Sequence, residues 1–466
     1  MTLNGRLSRY IGDKAFYKTV VTILLPVILQ NGLTNLVSLL DNIMVGSVGT
    51  EQMSGVSIVN QLIFVFNLCI FGGLAGAGIF TAQFFGKNDT EGVRYTFRFK
   101  IMTALAILVI GLTVFTCFSE PLIGLYLHEG SESGDIAATA MHGAEYIQII
   151  LWGLLPFALQ QVYAGTLREC GETVVPMKAG IVAIFVNLVF NYLLIFGKLG
   201  LPQMGVRGAA LATVLSRYVE CAIIVVWTHR HKLQAPFIEG AYRTLRVPLT
   251  LVGDIFRKGM PLLVNEFLWS AGMATLNQAY STRGLAVVAS MNICSTISNL
   301  FNVVWLSMGT VVAIMVGQQL GASEFDKAKI TVRRLMLVSL AGAVAIGAVM
   351  IAFAPLFPRL YNTTEEVRHI ASRLLMIVAL AGPVNSFCHC CYFTLRSGGK
   401  TWITFLFDSA YLWVLSIPMA RLLTGATAWP ILPIYMICTF IDVIKAFAGG
   451  VLIKKDVWVH NIVNDN

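Results

Sequence analysis

Three acidic residues lie in apolar stretches with no basic residue one helical turn away: Asp41, Glu266 and Asp408. An ionisable group in a membrane-spanning helix costs about 2.5–3.5 kcal/mol on insertion scales, so each acid needs a partner, water or a function. A carboxyl that alternates between dry and hydrated surroundings can carry a proton or exchange it for a cation, and so couple an ion gradient to transport. Two other sets of intramembrane charges have a plainer reading. Arg217 and Glu220, and likewise Asp442 and Lys445, stand three residues apart and are expected to neutralise each other on one helix face.

Amides accompany the acids. Gln30, Asn31, Asn35 and Asn42 share a stretch with Asp41, and Gln61 follows in the next; Asn187 and Asn191, four apart, share a helix face. In the second half Asn265 stands next to Glu266, and Trp269 is three residues further on. Such amides line a cavity or hold helices together by hydrogen bonds. The Trp269 ring packs or meets a cationic ligand. Gln30, Asn31, Asn35, Gln61, Asn187, Asn191, Asn265 and Trp269 are the candidate cavity-lining residues. No clustered catalytic set is evident, so no enzyme is expected, and no metal site or organic cofactor either. Cys388-His389-Cys390-Cys391 could attract a soft metal, but successive helical residues face different ways.

The elements that carry these residues must be membrane helices. Apolar residues make up 56% of the chain and charged ones 12%, with a mean hydropathy of +0.74, against roughly 25% charge in soluble domains. The charges collect between apolar stretches of about twenty residues, long enough to cross a hydrocarbon core about 30 Å thick. The spacing predicts twelve helices, over 19–43, 53–85, 101–118, 138–166, 174–196, 205–227, 260–282, 288–319, 335–355, 368–394, 402–422 and 430–452. The net charge of +9 does not indicate nucleic acid, because the basic residues sit at membrane boundaries. Most of the nine cysteines lie in apolar runs, where a thiol packs as a small hydrophobe. The polar, basic start of the chain has no signal-peptide pattern, so the first helix is expected to be retained.

Residues 26–86 recur 235 positions later as 261–321, with Pro26, Gln83 and Gly86 returning as Pro261, Gln318 and Gly321. A second block keeps a spacing of 228: Thr166-Leu167-Arg168 and Gly171 return as Thr394-Leu395-Arg396 and Gly399. The slippage is assigned to the loop around Gly124–Gly134. Two copies of one hydrophobic unit are the signature of a transporter with two moving halves. The expected architecture is an all-α polytopic membrane protein, with two six-helix lobes related by a pseudo-twofold along the membrane normal. The lobes are residues 1–228 and 259–466. The linker, 229–258, includes a mixed basic and apolar stretch, 237–257, expected to lie along the membrane surface. With the N-terminus inside, 24 lysines and arginines fall on inner segments and seven on outer ones. That bias places both termini in the cytoplasm and the protein in the plasma membrane. At ~1.5 Å per residue, Asp41 lies near the outer end of the first helix, while Glu266 and Asp408 lie in the inner third of theirs.

Leu25-Pro26 through Leu40-Asp41-Asn42-Ile43-Met44-Val45-Gly46 resembles the first helix of the multidrug and toxic compound extrusion (MATE) antiporters, including the fifteen-residue step from Pro26 to Asp41. Gly55-Val56-Ser57-Ile58, Gln83-Phe84-Phe85-Gly86 and Gly205-Val206-Arg207-Gly208-Ala209-Ala210 are similar to its other recurring stretches. The resemblance covers nearly the whole chain. It implies efflux of organic, often cationic compounds against inflow of protons or sodium ions, with Asp41 ion-responsive and the first helix bending near Pro26. In the family's best-known branch a further acid on helix 7 falls where this chain has Trp269, and one on helix 10 where it has Asn385. Glu266 is then a displaced substitute, and Asn385 a cavity residue that cannot titrate. Proton coupling through the first half is therefore favoured over sodium. The competing readings are a flippase for lipid-linked saccharides, expected to line its cavity with arginines or lysines for a diphosphate, and a non-transporting receptor. The partners expected are small organic cations and the bilayer, with no nucleic acid and a monomeric chain.

Overall fold

Hydrocarbon offers no water to satisfy backbone N–H and C=O groups, so apolar stretches of this length have to close their hydrogen bonds as helices. The computed structural model describes residues 11–124, 136–361 and 363–464, without the side chains of residues 38, 39, 42, 43 and 50. The slippage loop around Gly124–Gly134 and the side chain of Asn42 thus lie outside the described residues. Among the described residues are twelve long helices and no strand. They are α1 (Lys14–Gly46), α2 (Thr50–Gly86), α3 (Thr90–Gly124), α4 (Ile136–Glu169), α5 (Val174–Phe196), α6 (Val206–Arg230), α7 (Leu249–Ser281), α8 (Leu285–Gly321), α9 (Phe325–Phe353), α10 (Glu365–Ser397), α11 (Thr401–Ala426) and α12 (Ile431–Lys454). Eleven of them are long and apolar enough to cross a membrane. The exception is α7, whose 33 residues include Asp254, Arg257, Lys258 and Glu266. Large apolar side chains such as Val109, Ile110, Phe185 and Phe447 are exposed, as lipid-facing positions require.

Three elements differ from the sequence-based expectation. The stretch 237–257 is not one continuous segment. Pro236–Ile238 form a 3-10 turn with Phe237 and Ile238 buried, and α7 begins at Leu249, eleven residues before the expected start. The cause is Arg98 on α3. Its guanidinium donates to the carbonyls of Gly240 (2.8 Å), Ala241 (2.8 Å) and Arg246 (3.2 Å), folding the connection onto the helix. Helix α11 is not regular: Leu406–Ala410 and Leu412–Ser416 are π-helical turns. Helix α12 is two segments, Ile431–Phe440 and Asp442–Lys454, meeting at Ile441.

The chain forms two compact units. One comprises Leu29–Thr81 and Thr90–Val252; the other comprises the described residues of Met1–Ile28, Ala82–Asp89 and Gly253–Asn466. In the first, Lys100 is buried and pairs with Glu169, while its ammonium also donates to Thr166 Oγ1 (3.2 Å). In the second, Phe16, Val20 and Ile23 pack with Met308, Val311, Val312 and Trp458.

The repeated residues turn out to be turn-makers. Gly171 (φ 89°) and Gly399 (φ 70°) end α4 and α10 in the left-handed region. Each allows a backbone bond that closes the helix end, from Glu172 N–H to Leu167 O (2.8 Å) and from Lys400 N–H to Leu395 O (3.1 Å). Gly86 and Gly321 serve another purpose. A Cβ on Gly86 would strike the carbonyl of Gln318, and a Cβ on Gly321 would strike that of Gln83. The ends of α2 and α8 therefore cross backbone to backbone, each glycine against the partner repeat's glutamine. Gln83 is fully buried there; its Nε2 donates to Ser397 O (2.9 Å) and its Oε1 accepts from Ile462 N–H (2.9 Å).

Backbone cannot yield as a side chain can, so Gly86→Ala or Gly321→Ala should destabilise the protein by about 1–3 kcal/mol through overpacking. Gly342→Ala on α9, where an added Cβ meets nothing within 4 Å, should be neutral or mildly stabilising. Thermal unfolding midpoints of the three variants in detergent check this, with a drop confined to the first two.

Candidate functional site

In the first unit, α1 presents Asp41 to the face of α5 that carries Asn187 and Asn191. Asn191 Nδ2 donates to Asp41 Oδ1 at 2.6 Å and to Asn187 Oδ1 at 3.1 Å. With its amide turned by half a rotation, Asn187 places its nitrogen 3.0 and 3.1 Å from the two Asp41 oxygens, so both amides then serve the carboxylate. Asn191 and Asn187 are buried, and Asp41 is half-buried. Asn191 Oδ1 is itself buried with no hydrogen-bond partner. The four-residue spacing on α5 thus does what a shared face permits: two amides converge on one acid.

The other first-half candidates are not gathered there. Gln30 is half-buried and accepts from Arg168 Nη2 at 3.2 Å. Asn31 and Gln61 are exposed and Asn35 is half-buried. Helix α1 runs unbroken through a buried Pro26. The expected Arg217–Glu220 pair is replaced by separate partners on neighbouring segments. Arg217 lies over the Phe157 ring (5.1 Å) and reaches Gly153 O (3.5 Å), whereas Glu220 accepts from Gln160 Nε2 (2.9 Å).

The second unit encloses a cavity of about 710 Å³ whose lining includes Trp269, Asn299, Asn385, Asp408, Asp442 and Lys445. Trp269, Asn385 and Asp408, read separately from the sequence, are therefore brought together. Lys445 was expected to pair with Asp442, its neighbour on α12. It instead crosses to α11 and contacts Asp408 Oδ1 at 2.7 Å, while lying 5.2 Å from the Phe407 ring centroid. Asp408 thus has the basic partner that its own helix lacks.

Asn265, expected on the cavity wall, is 1% exposed and stands behind it. Its Nδ2 donates to Asp408 Oδ2 (3.2 Å) and Tyr392 OH (3.3 Å), and its Oδ1 accepts from the Ser409 backbone N–H (3.2 Å) and hydroxyl (2.7 Å). One amide thereby holds both the acid and the π-helical turn that carries it. Wide turns of this kind recur at functional sites because they re-aim side chains. Glu266, half-buried, is within electrostatic reach of Arg396 and Asp408. His389 Nε2 bonds to Leu306 O at 3.2 Å, and Cys388, Cys390 and Cys391 are buried in helix packing. Among the described residues no three His, Cys, Asp or Glu side chains are grouped to hold a metal ion.

Lys445 is the cavity residue whose partner sequence reasoning misplaced. The signal was present as an intramembrane lysine, but spacing along one helix says nothing about the next. Breaking the pair should leave a largely desolvated carboxylate, so Lys445→Met should cost about 2–4 kcal/mol. Adding Asp408→Asn should restore part of that loss; thermal unfolding of both single variants and the double variant measures the coupling.

The MatE family model matches residues 26–193 and 261–422. The chain is 25% identical over 406 residues to a probable multidrug resistance protein NorM of Thermotoga maritima, covering 86% of this chain and 84% of that protein. It is 26% identical over 430 residues to a probable multidrug resistance protein YoeA of Bacillus subtilis, covering 90% and 89%. Among solved structures, the Vibrio cholerae MATE transporter VcmN in its bent form superposes with a TM-score of 0.82 at 19% identity, over 95% of this chain and 97% of that one. An outward-facing multidrug resistance MATE transporter gives 0.84 at 20% identity, over 96% of each. The fold is thus that of the MATE transporters. With both repeats matched across most of its length, this multi-pass membrane protein belongs to the MatE family.

Proposed function

We propose that this chain is a secondary active efflux transporter that exchanges cationic or amphipathic organic compounds for protons or sodium ions by alternating access. The relatives' names, multidrug resistance proteins, support efflux of drug-like cargo. The observation that carries the coupling is the Asp41–Asn187–Asn191 cluster. No ion pair among the described residues engages Asp41, so its charge is balanced by amides alone. An ionised Asp41 accepts from those amides; a protonated one becomes a donor, and Asn191 Oδ1 is the oxygen beside it with no other partner. A coupling cation would use the same oxygens. Pro26 has no backbone N–H to give to the helix, which makes it the cheapest place on α1 to bend. In this reading Glu266 is the second-half coupling acid, and Asp408 joins only in a state where Lys445 has left it. Amides and aromatic rings such as Trp269 receive the cargo.

The same reading takes residues 1–228 and 259–466 as the moving lobes of a monomer, joined by 229–258, with both termini in the cytoplasm as the charge bias directs. Asp41→Asn keeps the shape and removes the titration. In proteoliposomes with an imposed pH or sodium gradient, the variant should lose gradient-driven efflux of a fluorescent organic cation by about tenfold or more, as expected for an essential intramembrane acid. Undiminished transport would remove Asp41 from the mechanism, and the gradient that drives the wild type identifies the ion.

A further inference from the structure

The connection after α6 and the first turns of α3 form a second, open cavity, of about 660 Å³, entirely within the first unit. Its lining includes four arginines, Arg94, Arg98, Arg243 and Arg246, against two carboxylates, Glu91 and Glu239. That leaves a formal excess of two positive charges. Arg98 is buried and committed to the backbone, its three nitrogens donating to Gly240, Ala241 and Arg246. This clamp brings the segment bearing Arg243 and Arg246 against the helix bearing Arg94. Arg94 Nε makes one long bond to Phe237 O (3.4 Å), and Arg243 and Arg246 are exposed. None of the four guanidinium groups has an ion-pair partner among the described residues. Arg98 alone is committed to the clamp; the guanidinium groups of Arg94, Arg243 and Arg246 share its cavity. They offer the forked donors that phosphate oxygens accept.

We propose that this pocket binds a phosphate ester through Arg94, Arg243 and Arg246, with Arg98 as the residue that builds the pocket. A phosphate could reach it as the headgroup of an anionic phospholipid or as a soluble phosphate. Leu245 (54% exposed) and Leu249 (86% exposed) flank the arginines and offer apolar surface alongside which an acyl chain can run. This places the ligand on the linker between the two repeats, on residues that the transport reading does not use, and the inference is independent of that reading.

The test uses the full-length protein in detergent and follows its thermal unfolding as ligand is titrated in three arms: phosphatidylglycerol, phosphatidylcholine and inorganic phosphate. Wild type is compared with Arg243→Gln/Arg246→Gln, both exposed positions outside the core. A control, Arg359→Gln/Arg421→Gln, removes the same charge elsewhere. Phosphatidylglycerol should stabilise the wild type where phosphatidylcholine does not, and the pocket variant should need about tenfold more of it, as expected for the loss of two arginine–phosphate interactions. A response to inorganic phosphate with the same sensitivity to the pocket variant also supports the site and assigns a soluble ligand. If the pocket variant responds to both anions as the wild type does, or if the control loses as much as the pocket variant, the proposal is overturned.

Discussion

The constraint on which the second compact unit depends is the backbone crossing of α2 and α8. Two helices approach closely only where small residues remove the side chains between them, and here the glycines are reciprocal: Gly86 lies against Gln318 and Gly321 against Gln83. The glutamines add what glycine cannot. Gln83 satisfies a carbonyl at the end of α10 and a backbone N–H near the chain's end, so the crossing also ties down Ser397 and Ile462. Asn461 joins it by donating to Gly321 O at 3.0 Å. Each of these groups is buried, and each left unpaired would be costly where little water reaches. Close packing thus depends on Gly86 and Gly321, and polar satisfaction beside them on Gln83 and Asn461.

The two candidate sites solve the problem of an intramembrane acid in different ways. Asp41 is held by neutral amides, with no ion-pair partner among the described residues. Asp408 is held by an ammonium and an amide, so its ionised form is already matched. The duplication supplies a common frame, while the chemistry inside it has diverged: the position equivalent to Asp41 is Leu276, and that equivalent to Glu266 is Asn31. The recurring glycines stand at helix ends and crossings, whose backbone demands are the same in both copies.

Much of this was legible from residue types. Hydropathy and charge clustering marked the helices, and the recurring Gly, Pro and Gln marked the frame, because backbone geometry restricts those positions to few residues. The convergence of Asn187 and Asn191 on one face followed from their spacing, but their partner Asp41, 150 residues before Asn191, did not. What spacing could not supply was the distance between helices. Lys445 and Asp442 satisfy the one-turn rule, yet the lysine reaches 37 residues back to Asp408. Of the two roles open to intramembrane amides, lining a cavity or bonding helices together, Asn265 takes the second, and its burial depends on how α11 widens next to it. The π-helical turns left no trace in the hydropathy pattern, since they change which way residues point and not which residues they are.

Lys445 gives the second-unit cavity a resident counter-ion. Tethered 2.7 Å from Asp408, its ammonium is present at an effective concentration far above that of any dissolved cation. A diffusing cation that would take the place of Lys445 must compete with a rival that never leaves by dilution. Raising the salt does little to loosen a partly buried pair, which is screened far less than a surface one. Asp442 and the aromatic rings remain on the same wall without that tether. The two carboxylates on this cavity are therefore not equivalent: Asp408 is paired with the ammonium at 2.7 Å, and Asp442 is not.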